Sequence, residues 1–277
     1  MSTLMSSSRF RVSAALFAII ATFAVLGPLL VHGRNPLAVV GGLYDPPSGS
    51  SWLGTDNFGG DVFTKLMYGT RTSLVIGVLA GAVGTAVGVV VGTLAGFRGG
   101  IVEEALMGFT NVMITIPSIV VLILLSVAVH SRSVVVMGLI IGITSWPWTA
   151  RAIRAQAGSL RTRDHVDIAR LSGAGTARLI IWEILPYMLS YVVMAFVLQL
   201  AGAILQEAAL SLLGLGPSNV VSLGVMLFWA LLWESARTGA WWAFVPPTLM
   251  LTLIAFSLFL LQSSLGEILN PRLRRAG

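Results

Sequence analysis

The 277-residue sequence contains no cysteine, a single lysine, and charged side chains at only 10% of its positions. Without cysteine the chain has no disulfides, iron–sulfur clusters or thiolate chemistry. Its one lysine, Lys65, lies in DVFTKLMYG, so no G-x-x-x-x-G-K-[ST] phosphate-binding loop exists. His32, His130 and His165 fall in three separate predicted loops, whereas zinc needs three or four clustered ligands. We therefore predict no catalytic, cofactor or metal site in this chain.

The scarcity of charge also indicates the class of protein. A soluble domain carries roughly 25% charged residues, whereas here 56% of the residues are hydrophobic. Because a helical membrane span needs ~20 apolar residues, the sequence predicts an all-α integral membrane protein. Its candidate spans are the uncharged runs 12–31, 72–97, 105–129, 133–150, 184–206, 208–233 and 238–266.

The distribution of charge favours six spans over seven. If 208–233 stays outside the bilayer, twelve of the seventeen cations fall on one side, which the retention of Lys and Arg identifies as cytoplasmic. A seventh span would export the basic tail that contains Arg272. Pro217 also interrupts this run. We predict cytoplasmic termini, short outer helices within 208–233, and Glu207 among the outer charges. Topology then explains the net charge of +6, with no nucleic acid partner.

Three parts are predicted along the chain. Residues 1–71 form a first transmembrane helix and an extracytoplasmic loop, 72–266 form a five-helix core with a cytoplasmic loop at 151–186, and 267–277 form a cytoplasmic basic tail. The arginines before the first apolar run could mark a signal peptide. Twenty apolar residues exceed the ~7–15 of a signal peptide core, so we predict a retained span.

Two further patterns predict local structure. Asp61 is a candidate N-cap for a short helix on which Val62, Leu66 and Met67 face one way, as in a helix lying on the membrane. The second apolar run carries small residues that let helices approach closely in lipid, with pore lining as the alternative. These residues are Gly77, Gly81, Gly84, Gly88, Gly92 and Gly96.

Polar residues interrupt the third and fifth runs. Pro117 frees a backbone carbonyl, and such breaks are tolerated against other helices or a water-filled path. We predict a kink satisfied by neighbouring helices, and for Gln199 and Gln206 hydrogen bonds between helices. Lining of a translocation path is the alternative, and its candidates are Asn111, Thr115, Ser118 and Gln199.

The segment RTRDHVDIARLSGAGTARLIIWEILP, residues 161–186, is charged and helix-capable between two apolar runs. Asp164 is predicted as an N-cap with Asp167 three positions on. Gly173 is predicted as a left-handed stop, and Thr176 as the cap of a second helix. The pattern predicts a helix, a glycine elbow and a helix, with a plain solvated loop as the alternative.

The order Asp167-Ile168-Ala169, Gly173 and Glu183-Ile184-Leu185-Pro186 resembles the cytoplasmic loop of membrane subunits of bacterial ABC importers. There it reads Glu-Ala-Ala, three residues, Gly, nine residues, Ile-x-Leu-Pro, so the spacing is kept while three letters differ. In that family the short helix docks in a groove of the ATPase subunit. The resemblance implies a docking surface of Asp164, Asp167, Ile168, Ala169, Arg170, Leu171, Gly173, Leu185 and Pro186.

Two other stretches resemble one branch of this family, the dipeptide, oligopeptide and nickel permeases. LGTDNFGGDVFTKLMYGTRTSL is similar to the branch's LGTDxxGRD and the run after it, with Gly60 in place of the usual Arg. AILQEAALSLLGLGP, followed by SLGVML, is similar to the segment that closes the fifth span. Glu207-Ala208-Ala209 also spells the docking triplet, but position 213 is Leu and no Leu-Pro follows at the required spacing.

The resemblance implies a type I ABC importer (MetI-like) permease fold in a bacterial cytoplasmic membrane, of the second permease subunit type. The expected partners are a second, non-identical permease subunit, two ATPase subunits or domains that bind ATP and Mg, an extracytoplasmic solute-binding protein, and membrane lipid. Dipeptides or oligopeptides are the expected solutes, with nickel chelates or other small polar solutes as the alternative. A secondary transporter is disfavoured because the five predicted spans between residues 12 and 206 contain no Asp, Glu, Lys, Arg or His.

Overall fold

The computed structural model describes residues 7–31 and 34–269. His32 and the predicted basic tail with Arg272, Arg274 and Arg275 lie outside the described residues. The described part is helical, with only two isolated antiparallel bridges, Val39–Gly60 and Thr55–Asp61. Its helices are α1 (Ser8–Leu30), α2 (Val62–Arg98), α3 (Gly100–Thr115), α4 (Ser118–Ala128), α5 (Val134–Leu160), α6 (Asp164–Leu171), α7 (Thr176–Arg178), α8 (Leu185–Leu210), α9 (Leu223–Leu232) and α10 (Val245–Leu269).

Five helical stretches in the described residues are long and apolar enough to cross a membrane. They are α1, α2, α5, the continuous stretch from α7 through α8, and α10 with the short 3₁₀ turn before it. The pair α3 and α4 passes the same test as one span broken by an 86° bend. The prediction of an all-α membrane fold is confirmed, and the α3–α4 pair, which brings the number of spans to six, is broken at Pro117.

The run 208–233 does not form a seventh span. Helix α8 ends at Leu210, a π-helical turn covers Ser211–Leu215, and α9 has only 10 residues. Gly214 takes a left-handed φ of 75° inside this connection, which interrupts the helix. The prediction of short helices in this run is confirmed.

The bundle has two ends, which we name by the helices they carry. At the α6 end, Val166 packs with Phe97 and Ile153, near the end of α2 and in the last third of α5. At the opposite end, the α9 end, the loop 34–61 folds against α9 and the start of α10. There the Trp242 indole donates to the Thr55 carbonyl at 3.0 Å, and the Tyr44 hydroxyl donates to the Trp233 carbonyl at 3.3 Å.

The glycines of α2 lie where other helices approach its backbone. An added Cβ at Gly88 would lie 2.6 Å from the Thr149 side chain in α5, and one at Gly81 would lie 3.1 Å from the Leu200 backbone nitrogen in α8. A side chain at Gly88 would force α2 and α5 to shift, and one at Gly81 would contact α8 more closely than most Cβ atoms contact their neighbours. The prediction that this stripe serves helix packing is confirmed.

The start of α2 corrects one prediction. Asp61 is the N-cap, and its carboxylate accepts from Thr64 N at 2.9 Å. The prediction of a separate surface helix is wrong, because α2 continues from Val62 into the span and buries Val62, Leu66 and Met67. No proline interrupts Val62–Arg98, and the polar hydroxyl of Thr70 is satisfied within the helix by the carbonyl four residues earlier, at 2.7 Å. The predicted boundary between residues 71 and 72 thus lies inside α2.

The one lysine lies beside Gly60. Lys65 is buried and forms an ion pair with Asp56. A Cβ at Gly60 would lie 2.6 Å from the Lys65 ammonium nitrogen. A side chain at residue 60 would therefore require the end of Lys65 to move.

Candidate functional site

Helix α6 is amphipathic and packs one face on the bundle. Val166 is fully buried and lies in a cluster with Phe97, Ile153 and Leu179. Ala169 is half-buried against the same cluster. On this side the ring of His165 lies 4.5 Å from that of Tyr187, and its Nε2 is 3.1 Å from the Glu183 carbonyl. These contacts attach α6 to the base of α8.

The opposite face of α6 is exposed and combines apolar and charged side chains. Ile168 is 64% exposed and Leu171 is 89% exposed, one helical turn apart. Asp167 and Arg170 flank them and form an exposed ion pair at 2.8 Å. Ile168 and Leu171 thus form a small exposed apolar patch bordered by charged side chains.

The first turn of α6 differs from the prediction in one residue. Asp164 is not the N-cap: Arg163 holds that position without a side-chain cap bond, and its carbonyl already accepts from Val166 N at 2.9 Å. Asp164 and Asp167 instead both lie in the first turn. Their negative charge still favours this helix end through the helix dipole.

The glycine elbow after α6, residues 172–175, forms as predicted. Gly173 has a left-handed φ of 83°, its N–H bonds to the Arg170 carbonyl at 3.0 Å, and Ala174 N bonds to the Ala169 carbonyl at 3.1 Å. This pair of bonds is a Schellman motif, which fixes the direction of the chain leaving α6.

The second half of the loop runs straight into the next span. Thr176 is not a cap, because Gly175 holds the N-cap position and its carbonyl accepts from Leu179 N at 3.0 Å. After α7, a π-helical turn at Leu179–Ile184 leads without a break into α8. Leu185, the first residue of α8, is half-buried, and Pro186 beside it is exposed.

A second candidate site is a cleft of about 620 Å³ between the α3–α4 break and helices α5, α8 and α10. Of the four path candidates, Ser118 and Gln199 line the cleft. Asn111 lies instead in a shallow recess beside Arg151 and Arg154, and Thr115 donates its hydroxyl to the Asn111 carbonyl at 2.9 Å. The other polar lining residues are Thr144, Ser145, Thr149, Tyr191, Gln206 and Gln262. No Asp, Glu, Lys, Arg or His is among the lining residues.

Gln199 connects α8 to α5 at the cleft wall. Its Nε2 donates to the Ser145 carbonyl at 2.9 Å and to the Thr149 hydroxyl at 2.8 Å. We expect Gln199→Leu to lower the free energy of unfolding by about 1 kcal/mol, the usual scale for hydrogen bonds between membrane helices. Thermal unfolding in detergent would measure the loss, with Gln262→Leu as the control on α10. An unchanged melting temperature for Gln199→Leu would contradict the prediction.

The sequence predicted Glu207 on the outer side of the bilayer, and the structure places it near the end of α8, at the α9 end. The side chain is fully buried, because α8 continues to Leu210, beyond the predicted end of the span at residue 206. Hydropathy alone does not indicate that a carboxylate is buried in the core. The sequence places two of its eventual hydrogen-bond partners, Ser211 and Ser222, within fifteen positions of it.

Comparison with known proteins identifies the family. Residues 88–275, more than half of the chain, match the family described as binding-protein-dependent transport system inner membrane component. The chain belongs to this family. The helical bundle with its broken span is its type I importer fold, so the chain is a multi-pass membrane permease of the ABC importer class.

Similar proteins from several bacteria match nearly the whole chain. A putative peptide transport system permease protein of Brucella abortus biovar 1 (strain 9-941) is 34% identical over 283 residues, covering 99% of this chain and 91% of the relative. The dipeptide transport system permease protein DppC of Bacillus subtilis (strain 168) is 33% identical, covering 95% and 82%. The oligopeptide transport system permease protein OppC of the same strain is 31% identical, covering 83% and 74%.

Proposed function

We propose that this permease imports dipeptides or oligopeptides across a bacterial cytoplasmic membrane, driven by ATPases that dock on α6. The observation that carries the proposal is the two-sided α6 helix. Its inner face is fixed to the bundle by Val166 and His165, while Ile168 and Leu171 are exposed on the outer face. A helix held on one side and apolar on the other can transmit force from a partner to the bundle.

We place the α6 end in the cytoplasm. Arginines concentrate there, on and just before α6, in α7, at the end of α2 and in the last third of α5, and the positive-inside bias favours this orientation. The described N-terminal helix then starts on the cytoplasmic side, and the α9 end faces outward to an extracytoplasmic solute-binding protein. ATP and Mg belong to the two ATPase subunits or domains, and this chain performs no catalysis.

A second permease subunit is proposed to close the cleft. Thr110 is the one buried residue of α3 and Leu122 the one buried residue of α4, so both helices present most of their surface outward beside the cleft. A non-identical partner would cover this surface and complete the translocation path. Lipid would cover the remaining apolar faces.

The cleft chemistry supports a peptide as the solute. Glutamine, serine and threonine side chains offer both donors and acceptors, which suits the amide groups of a peptide backbone. The lack of formal charge in the lining favours passage of side chains of either sign. Several of the similar proteins carry the names of peptide transport systems, which supports the same substrate class.

Reconstitution of the complete complex tests the proposal. We expect ATP hydrolysis by nanodiscs that contain this chain, its permease partner and the ATPases to rise when peptide-loaded binding protein is added. Binding protein without peptide is the control. This chain alone in liposomes should accumulate no peptide under an ion gradient. Accumulation by the chain alone, or no stimulation by any peptide, would refute the proposal.

A further inference from the structure

Glu207 is a buried carboxylate held by three hydroxyl donors from separate segments. Its Oε1 accepts from the Ser211 hydroxyl at 2.7 Å and from the Ser222 hydroxyl at 2.6 Å. Its Oε2 accepts from the Ser73 hydroxyl at 3.0 Å. We call these four residues the Glu207 cage. The cage joins α2, the end of α8, the π-helical turn after it, and the start of α9.

Two of the three serines are oriented by the backbone of α9. The Ser73 oxygen accepts from Leu223 N at 3.2 Å, and the Ser222 oxygen accepts from Val225 N at 3.1 Å as the N-cap of α9. Each oxygen is thus an acceptor for a backbone N–H, which leaves its own hydrogen to donate to Glu207. The first turn of α9 is therefore fixed to α2 and α8 through one carboxylate.

Close backbone contact around the cage restricts α9 to this position. A Cβ at Gly224 would lie 2.7 Å from the Ala208 Cα and 2.7 Å from the Ser211 Cβ. A Cβ at Gly69 would lie 3.2 Å from the Ser222 carbonyl carbon. Because glycine at both positions brings the backbones together, the hydrogen bonds of the cage have short, defined lengths.

Helix α8 joins the cage to both candidate sites. At one end α8 follows the elbow of α6, and along its length Gln199 and Gln206 line the cleft. Glu207 follows Gln206 directly, and its side chain makes the hydrogen bonds of the cage. A movement of α8 that starts at α6 therefore reaches α9 through this node and changes the wall of the cleft on the way.

We propose that Glu207 is a positioning residue for transport, which makes α8 and α9 move as one body at the α9 end. The geometry of this inference comes from the cage alone. Its consequence, the opening and closing of the cleft, rests on the proposed function. An apolar side chain would satisfy a purely structural need, since buried ionic groups often add little stability. Three directed donors on one carboxylate instead specify a single arrangement of four segments.

The test uses the complete complex and two variants of the cage. Glu207→Gln replaces one carboxyl oxygen, an acceptor, by an amide NH₂ donor at nearly constant volume, and Ser73→Ala removes the bond to α2 and the acceptor for Leu223 N. Thr85→Val is the matched control, because the Thr85 hydroxyl is buried in α2 and makes no hydrogen bond in the described structure. Thermal unfolding confirms that each variant folds and assembles.

Two measurements distinguish positioning from stability. The first is the ratio of peptide-stimulated to basal ATP hydrolysis, which we expect to fall about fivefold or more in both cage variants, the lower end of typical coupling between sites. The second is a distance distribution between spin labels on Leu231→Cys in α9 and Val90→Cys in α2, both exposed. The sequence has no cysteine of its own, so labelling is specific. We expect this distribution to broaden in the cage variants and to stay narrow in Thr85→Val.

The outcomes separate this inference from the proposed function. A wild-type complex without peptide stimulation would refute the peptide importer, while the spin-label distances would still decide whether the cage holds α9. An unchanged distribution in Glu207→Gln and Ser73→Ala would overturn the positioning role. A broadened distribution with an unchanged stimulation ratio would overturn its part in transport. Equal effects in Thr85→Val would also overturn the inference.

Discussion

Leu171→Asp should weaken attachment of the ATPase partner by roughly 30-fold, the effect of losing about 2 kcal/mol at an interface hot spot. The side chain is 89% exposed in the isolated subunit, so the change costs the fold less than about 1 kcal/mol, through the unfavourable charge at the helix C-terminus. In the docked complex the same position would bury an unpaired carboxylate, which carries a large desolvation penalty. Affinity of the purified ATPase for this permease in nanodiscs measures the effect.

Ala177→Asp provides the matched control for Leu171→Asp. Ala177 is exposed at the same end of the bundle, in α7 rather than on α6, and the substitution adds the same charge. We expect the control to bind the ATPase within about twofold of wild type, as for most substitutions away from hot spots. Equal losses in both variants would indicate a general charge effect and contradict docking through α6.

Gly92→Leu should destabilise the bundle by about 3 kcal/mol or more, the upper range for overpacking. A Cβ at Gly92 would contact the Ala150 carbonyl oxygen and lie 2.8 Å from the Ile153 Cβ. The carbonyl belongs to the α5 backbone and cannot rotate away, so α2 and α5 must separate. Thermal unfolding of the chain in detergent should show a much lower melting temperature.

Gly108→Leu tests whether the loss of stability in Gly92→Leu depends on the close contact between α2 and α5. Gly108 lies within α3, and a Cβ there would meet nothing within 4 Å. The same substitution should leave stability unchanged or raise it slightly, because leucine has a higher helix propensity than glycine. A comparable fall in the melting temperature of both variants would show that added bulk alone is responsible.

The sequence predicted the spans because the bilayer imposes a length and a composition that are visible without tertiary contacts. The same holds for Gly173, whose left-handed backbone at 83° follows from its place at a helix end. The small residues of α2 were also informative, since lipid-embedded helices have few other ways to approach closely. These features depend on the order of neighbouring residues or on the surrounding bilayer, and both can be inferred from the sequence.

Features set by distant contacts were not predictable. The 86° bend between α3 and α4 exceeds what Pro117 alone dictates, and buried Glu207 accepts a hydrogen bond from Ser73, 134 positions away. The shift of the α6 N-cap from Asp164 to Arg163 is a competition between two adjacent residues that tertiary packing decides. Of the path candidates, only contact between helices separates Ser118 and Gln199 from Thr115.

The π-helical turn at Leu179–Ile184 makes the length of this segment important as well as its composition. Successive residues of a helix are rotated by about 100°, since one turn takes 3.6 residues. A π-helical turn holds about one residue more than an α-helical turn, so deleting a single residue from it would restore regular winding and leave α6 facing in nearly the same direction. Deleting a residue from the regular turns of α8 would instead rotate α6 about the axis of α8 by that angle, and the side chains of Ile168 and Leu171 would point elsewhere. We therefore expect a one-residue deletion to be tolerated better in the π-helical turn than in the first turns of α8.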